Sequence, residues 1–128
     1  MNALSHVSLG TNDYPRAKAF YDAVLATIGI RCVMDYREGA GYGRTFPEFW
    51  IQVPHDRRAA ASGNGTHVCF NAASEEEVKA FHAKALELGA QDEGQPGLRP
   101  EYTETYYGAF VRDADGHKIE AMCWVKKG

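Results

Sequence analysis

One short sequence is written twice in this chain. Ser5-His6-Val7-Ser8-Leu9 returns as Thr66-His67-Val68-Cys69-Phe70. The two histidines, at 6 and 67, stand 61 positions apart, and the residues after them repeat at the same offset. Ala17, Phe20, Tyr21, Val24 and Leu25 become Val78, Phe81, His82, Ala85 and Leu86, and Lys18-Ala19-Phe20 returns literally as Lys79-Ala80-Phe81. A supersecondary unit used twice is the strongest constraint on the fold, because each copy needs the other to bury its apolar face. The 128 residues suit one domain made of two small modules. The modules are expected at about 1–56 and 66–128. Between them lies a polar, small-residue linker, 57–65, with Arg57-Arg58, three alanines and Ser62-Gly63-Asn64-Gly65.

Within each copy the periodicity changes from two to 3.6. Leu4 to Gly10 alternates, with Val7 and Leu9 on one face and His6 and Ser8 on the other, the pattern of a strand. Thr11-Asn12-Asp13 supplies a helix cap, with Pro15 tolerated in the first turn. A single apolar stripe runs from Ala17 to Ile28 and stops at Gly29. Ile30 to Tyr36 and Phe49 to Val53 read as strands, and Gly43 to Phe46 as a short one. Glu38 to Gly43, with three glycines, reads as the turn of a hairpin. A phosphate-binding glycine loop should open a helix, and none comes after it. In the second copy, Ser74 and Glu77 form a capping box for a helix ending at Gly89. Gln91 to Pro100 reads as weak or looped. Thr105 to Arg112 and Lys118 to Val125 read as strands around the turn Asp113-Ala114-Asp115-Gly116. Each half is therefore strand, helix, then about three strands, which makes the class α+β.

Charge and cysteine usage exclude several functions. A formal net charge of −3 leaves no basic footprint for nucleic acid, and the Lys126-Lys127 pair is too small to change that. No apolar run approaches membrane-spanning length, and the N-terminus lacks the regions of a signal peptide. Three separated cysteines, Cys32, Cys69 and Cys123, point to a reducing, cytoplasmic setting rather than a disulfide framework.

Strand parity sorts the candidate functional residues. Val7, Leu9, Phe49, Ile51, Val53, Val68, Phe70, Ile119 and Ala121 should face the helices. The opposite face then carries His6, Ser8, Trp50, Gln52, His67, Cys69, Glu120 and Met122. Imidazoles and a carboxylate are costly to bury without partners, and together they suit Zn, Ni, Mn or Fe. Each histidine alone is more often a hydrogen-bonded structural residue. Their equivalence in a duplicated unit favours a shared site. Counted by the last strand of each half, Gln52 is the counterpart of Glu120. Trp50, Tyr107 and Met122 are candidates to contact a substrate, with core filling as the alternative. Tyr102, Tyr106 and Tyr107, with Arg99 and Glu101, lie on an irregular segment that is a candidate rim of the site, with aromatic hairpin packing as the alternative. Cys69 is expected to be an inert buried thiol, and His55, His82 and His117 to be surface or packing residues.

The chain resembles the vicinal oxygen chelate superfamily of glyoxalase I, bleomycin-resistance proteins, fosfomycin-resistance enzymes and extradiol dioxygenases. The resemblance covers nearly the whole chain. It rests on the strand with His6 followed by Asp13 and Ala19-Phe20-Tyr21, and on Arg112-Asp113-Ala114-Asp115-Gly116-His117-Lys118-Ile119-Glu120. It implies two tandem βαβββ modules forming a mixed, mostly antiparallel cup-shaped sheet, with helices on the outer face. It also implies a divalent metal held by His6, Gln52, His67 and Glu120, and a homodimer. The activity implied is metal-dependent lyase or isomerase chemistry, the metal chelating neighbouring oxygens of a small substrate and Glu120 acting as general base. A binding protein without catalysis, or a small dioxygenase-like member, is the alternative. Gly10 and Asp56 stand where glyoxalase I carries an arginine and an asparagine, so glutathione specificity is not implied.

Overall fold

The computed structural model describes residues 1–126; Lys127, half of the C-terminal basic pair, lies outside them. The first module is β1 (Val7–Gly10), α1 (Tyr14–Ala26), β2 (Arg31–Asp35), β3 (Gly39–Gly43) and β4 (Phe49–Gln52). The second is β5 (His67–Asn71), α2 (Glu75–Glu87), β6 (Gln91–Leu98), β7 (Tyr106–Arg112) and β8 (Lys118–Trp124). Each module forms a four-stranded sheet of the same order, β1-β4-β3-β2 and β5-β8-β7-β6. The first strand of each runs parallel to the last and the rest are antiparallel. The segment 53–66 between them holds no helix or strand.

Local chemistry explains both helices. The Asp13 side chain accepts from the Arg16 amide and caps α1. Ser74 caps α2 by accepting from the Glu77 amide, and Glu77 reaches back to the Ala73 amide. Glu75, Glu76 and Glu77 set negative charge against the positive end of the α2 dipole. Each helix buries the stripe read from the sequence: Ala17, Phe20, Tyr21, Val24 and Leu25 in α1, and Val78, Phe81, His82 and Ala85 in α2. Phe49, Ile51, Phe70, Ile119 and Ala121 meet them from the sheets. Burying each large side chain of this set contributes about 1.5–3 kcal/mol.

Two segments differ from their expected structure. Residues 39–43, expected as a turn, form β3, and residues 91–98, expected as weak or looped, form the eight-residue β6. Their glycines hide the alternation, yet they are where neighbours crowd the strand. A Cβ at Gly43 would lie 1.7 Å from the Phe46 carbonyl oxygen, and one at Gly41 would lie 2.7 Å from the Pro47 side chain. The Gly43 to Phe46 strand is instead largely a bend, because the chain must turn from β3 into β4.

The modules are fastened by related contacts. The carbonyl of Gly10, ending β1, accepts from His117 Nε2 at 2.7 Å, and the carbonyl of Asn71, ending β5, accepts from Arg44 Nη2 at 2.8 Å. Tyr21 and Thr11 add hydroxyl donations to Asp113 and Asp115 in the β7–β8 turn. His117 and His82 are buried packing residues, the latter bonded to Asp92 at 3.0 Å.

Candidate functional site

The sheet register redefines which residues are equivalent. In the first module Ser8 pairs with Trp50 and Gly10 with Gln52. In the second Cys69 pairs with Glu120 and Asn71 with Met122. Since Ser8 and Gly10 correspond to Cys69 and Asn71 in the repeat, the ladder counterpart of Glu120 is Trp50, and that of Gln52 is Met122. Counting from strand ends keeps the correct face but slips the match by two residues.

On the face of the second sheet turned away from the helices, Glu120 is 1% exposed. Its Oε1 lies 3.2 Å from His67 Nε2, and its Oε2 accepts from the Tyr106 hydroxyl at 2.6 Å. A buried carboxylate without such partners would be costly. The contact places the His67 proton on Nε2 when the imidazole is neutral, leaving Nδ1 with a lone pair on a side chain that is 44% exposed. Burial, and then the bond to Glu120, push the Tyr106 phenol well above its ordinary value, so it remains a donor. Gly108 makes room for this cluster: a Cβ there would lie 2.9 Å from Glu120 Oε2.

Gly108 is absent from the expected set, and Tyr106, expected only among several aromatics rimming the site, bonds directly to Glu120. Tyr107, the residue expected at the substrate, pairs with Cys123 and lies in the helix-side core. The one-residue difference in parity sends Tyr106 to the opposite face, beside Glu120. Cys69, expected to be buried, is exposed as a residue, but its thiol lies 3.8 Å from the Tyr106 hydroxyl. Desolvation, followed by the Glu120 charge, pushes that thiol up to about 12, which keeps it protonated and unreactive at neutral pH.

His6 and His67 both line a cavity of about 320 Å³, with Arg44, Glu48, Phe49 and Phe70. That volume suits a small molecule. Trp50, Gln52, Glu120 and Met122 are not part of its wall. Trp50 stacks on Tyr36 at 6.0 Å between ring centroids, and its indole nitrogen donates to the Pro47 carbonyl. Met122 is buried on the Glu120 side of β8, and Gln52 is half-buried beside Gly10 and Gly39.

The donors brought together by one chain do not fit a four-ligand metal centre. His67 and Glu120 meet, but among the described residues no three of His, Cys, Asp and Glu converge to hold an ion. His6 hydrogen-bonds its neighbour Ser5.

Paired βαβββ modules, each with its first strand parallel to its last, define a glyoxalase-type scaffold. The chain belongs to the Glyoxalase/Bleomycin resistance protein/Dioxygenase superfamily, whose family model matches residues 3–121. A glyoxalase/bleomycin resistance protein from Albidiferax ferrireducens T118 is 36% identical, with a TM-score of 0.86 over 97% of this chain and 100% of that one. A glyoxalase-related enzyme from Fulvimarina pelagi (19% identity, TM-score 0.73, 96% and 88% covered) shares the fold. So does the fosfomycin resistance protein FosX from Listeria monocytogenes (17% identity, TM-score 0.67, 98% and 95% covered). No curated protein matches. No helix of the described residues is long and apolar enough to cross a membrane.

Proposed function

We propose that this chain is a small-molecule enzyme of the lyase or isomerase type, in which His67 transfers a proton to and from an oxygen-rich substrate. The observation that carries this reading is the buried Glu120 carboxylate, held between His67 Nε2 and the Tyr106 hydroxyl. Glu120 is enclosed, so it acts through His67: it fixes the tautomer and ring orientation and stabilises the imidazolium formed when Nδ1 takes a proton. Tyr106 occupies the second carboxylate oxygen and keeps it from turning. The cavity between β1 and β5 gives a substrate access to the His67 side. Gly10 and Asp56 supply no glutathione-type contact, which favours a compound other than a glutathione adduct.

The test is carbon-bound proton exchange in D₂O with a panel of α-hydroxy carbonyl compounds, followed by NMR. Exchange should exceed the buffer rate and fall about 10²–10⁴-fold in His67→Ala and Glu120→Gln. Wild-type exchange at the buffer rate, or exchange indifferent to His67→Ala, would refute it.

A metal-dependent form of the activity would require donors beyond His67 and Glu120, and pairing of two chains is the means the family resemblance suggests. The shared lining of the cavity by His6 and His67 favours it. Elemental analysis of untagged protein should then find a divalent transition metal that is lost in His6→Ala. Less than about a tenth of an equivalent would rule it out.

A further inference from the structure

β6 is built irregularly around one side chain. Its pairing with β7 shifts register between Asp92 and Gly94 and again between Gly94 and Gly97. Such bulges re-aim side chains beside functional sites. The guanidinium of Arg99 lies back across this strand. It donates to the carbonyls of Gln95, Gly97 and Leu98 at 2.7, 2.9 and 3.3 Å. The two glycines make that position possible. A Cβ at Gly94 would lie 3.1 Å from Arg99 Nη2 and 2.9 Å from the Phe110 ring, and one at Gly97 would lie 3.3 Å from Arg99 Nη1.

The held guanidinium sits 5.5 Å from the centre of the Phe110 ring, and the Lys118 ammonium sits 5.0 Å from the same ring. Phe110 is also the ring beside His67, 6.2 Å between centroids. Two cations thus lie against the ring that neighbours His67, and Lys118 is also the ladder partner of His67. Carbonyls orient Arg99 without neutralising it. Both Glu120 oxygens are bonded to His67 and Tyr106, and Glu93 is paired with Arg112. This positive patch stands out in a chain of net charge −3.

We infer that Arg99 and Lys118 form an oxyanion-recognising subsite on Phe110, so that the small molecule handled at His67 carries a carboxylate or phosphate group. The planar guanidinium suits a two-oxygen contact, and the ammonium supplies a second charge. This assignment rests on the reading that the His67 face handles a small molecule and names the class of that molecule.

The test is an NMR titration of wild-type protein with benzoate, inorganic phosphate and benzylammonium, following the His67 and Phe110 ring signals. Benzoate or phosphate should move both sets with one dissociation constant, whichever binds more tightly identifying the preferred oxyanion. Benzylammonium should not. Arg99→Gln/Lys118→Gln should weaken the anion at least about tenfold. Lys118→Gln alone, which leaves the Arg99 cradle intact, should weaken it about threefold and decides the matter if the double variant does not fold. Glu120→Gln should retain anion binding while losing proton exchange, so that failure of the acid–base reading is told apart from failure of this one. Undisturbed ring signals with both anions, tighter binding of benzylammonium, or unchanged anion affinity in Lys118→Gln would overturn the subsite.

Discussion

The two modules share a fold and a strand order, yet their sheet faces turned from the helices carry opposite chemistry. Where the second places Glu120 between His67 and Tyr106, the first places Trp50 stacked on Tyr36. Where the second has Phe110 opposite Glu120, the first has Gly41 opposite Trp50, and a Cβ there would strike the indole at 2.8 Å. The helix-facing positions of both modules are apolar because they fill one shared core. The other face meets no such demand, and it carries a polar cluster in one module and an aromatic pair in the other.

The comparison can be broken at matched positions. The largest contrast is in thiol reactivity. Cys69 beside Glu120, with its thiol near 12 against an ordinary 9.0, should alkylate at pH 8 about a thousandfold more slowly than a cysteine introduced at the equivalent exposed Ser8. Site-resolved mass spectrometry measures both, and equal rates would remove the proposed difference in environment. Backbone packing gives the next contrast. Gly43 and Arg112 are equivalent by the ladders. Gly43→Ala forces a Cβ into the Phe46 carbonyl and should cost about 3 kcal/mol. Arg112→Ala loses a half-exposed pair with Glu93 and should cost no more than about 1 kcal/mol. Urea denaturation compares the two. A smaller contrast separates Gly108 from Gly39. Gly108→Ala displaces Glu120 and should cost about 1–2 kcal/mol, while Gly39→Ala meets only ordinary contact with Gln52, 3.5 Å away, and should stay within about 0.5 kcal/mol.

Much of this was legible in the chain. The repeat and the two helical stripes gave the modules, because Ala17 to Leu25 and Val78 to Ala85 bury a single face each. Alternation placed His67 and Glu120 together, since both strands have unbroken period-two patterns. β3 and β6 were not legible: glycine at 39, 41, 43, 94 and 97 leaves no side chain to show a period, and the crowding at 41, 43, 94 and 97 exists only once the chain is folded. Tyr106 was legible only as one of several rim aromatics, for a different reason. Nothing local fixes the parity of Thr105-Tyr106-Tyr107, and only pairing with β8 decides that Tyr106 faces Glu120 and Tyr107 the core. The Arg99 cradle depends on two bulges, which no composition signal marks.

The central claim is that the second module alone carries a coupled polar cluster. Parallel double-mutant cycles on stability test it most directly, one with His67→Ala and Glu120→Gln, the other with the equivalent His6→Ala and Trp50→Phe. The account predicts a coupling of about 1 kcal/mol for the first pair and about zero, within roughly 0.3 kcal/mol, for the second. Equal couplings, or a larger one between His6 and Trp50, would contradict it.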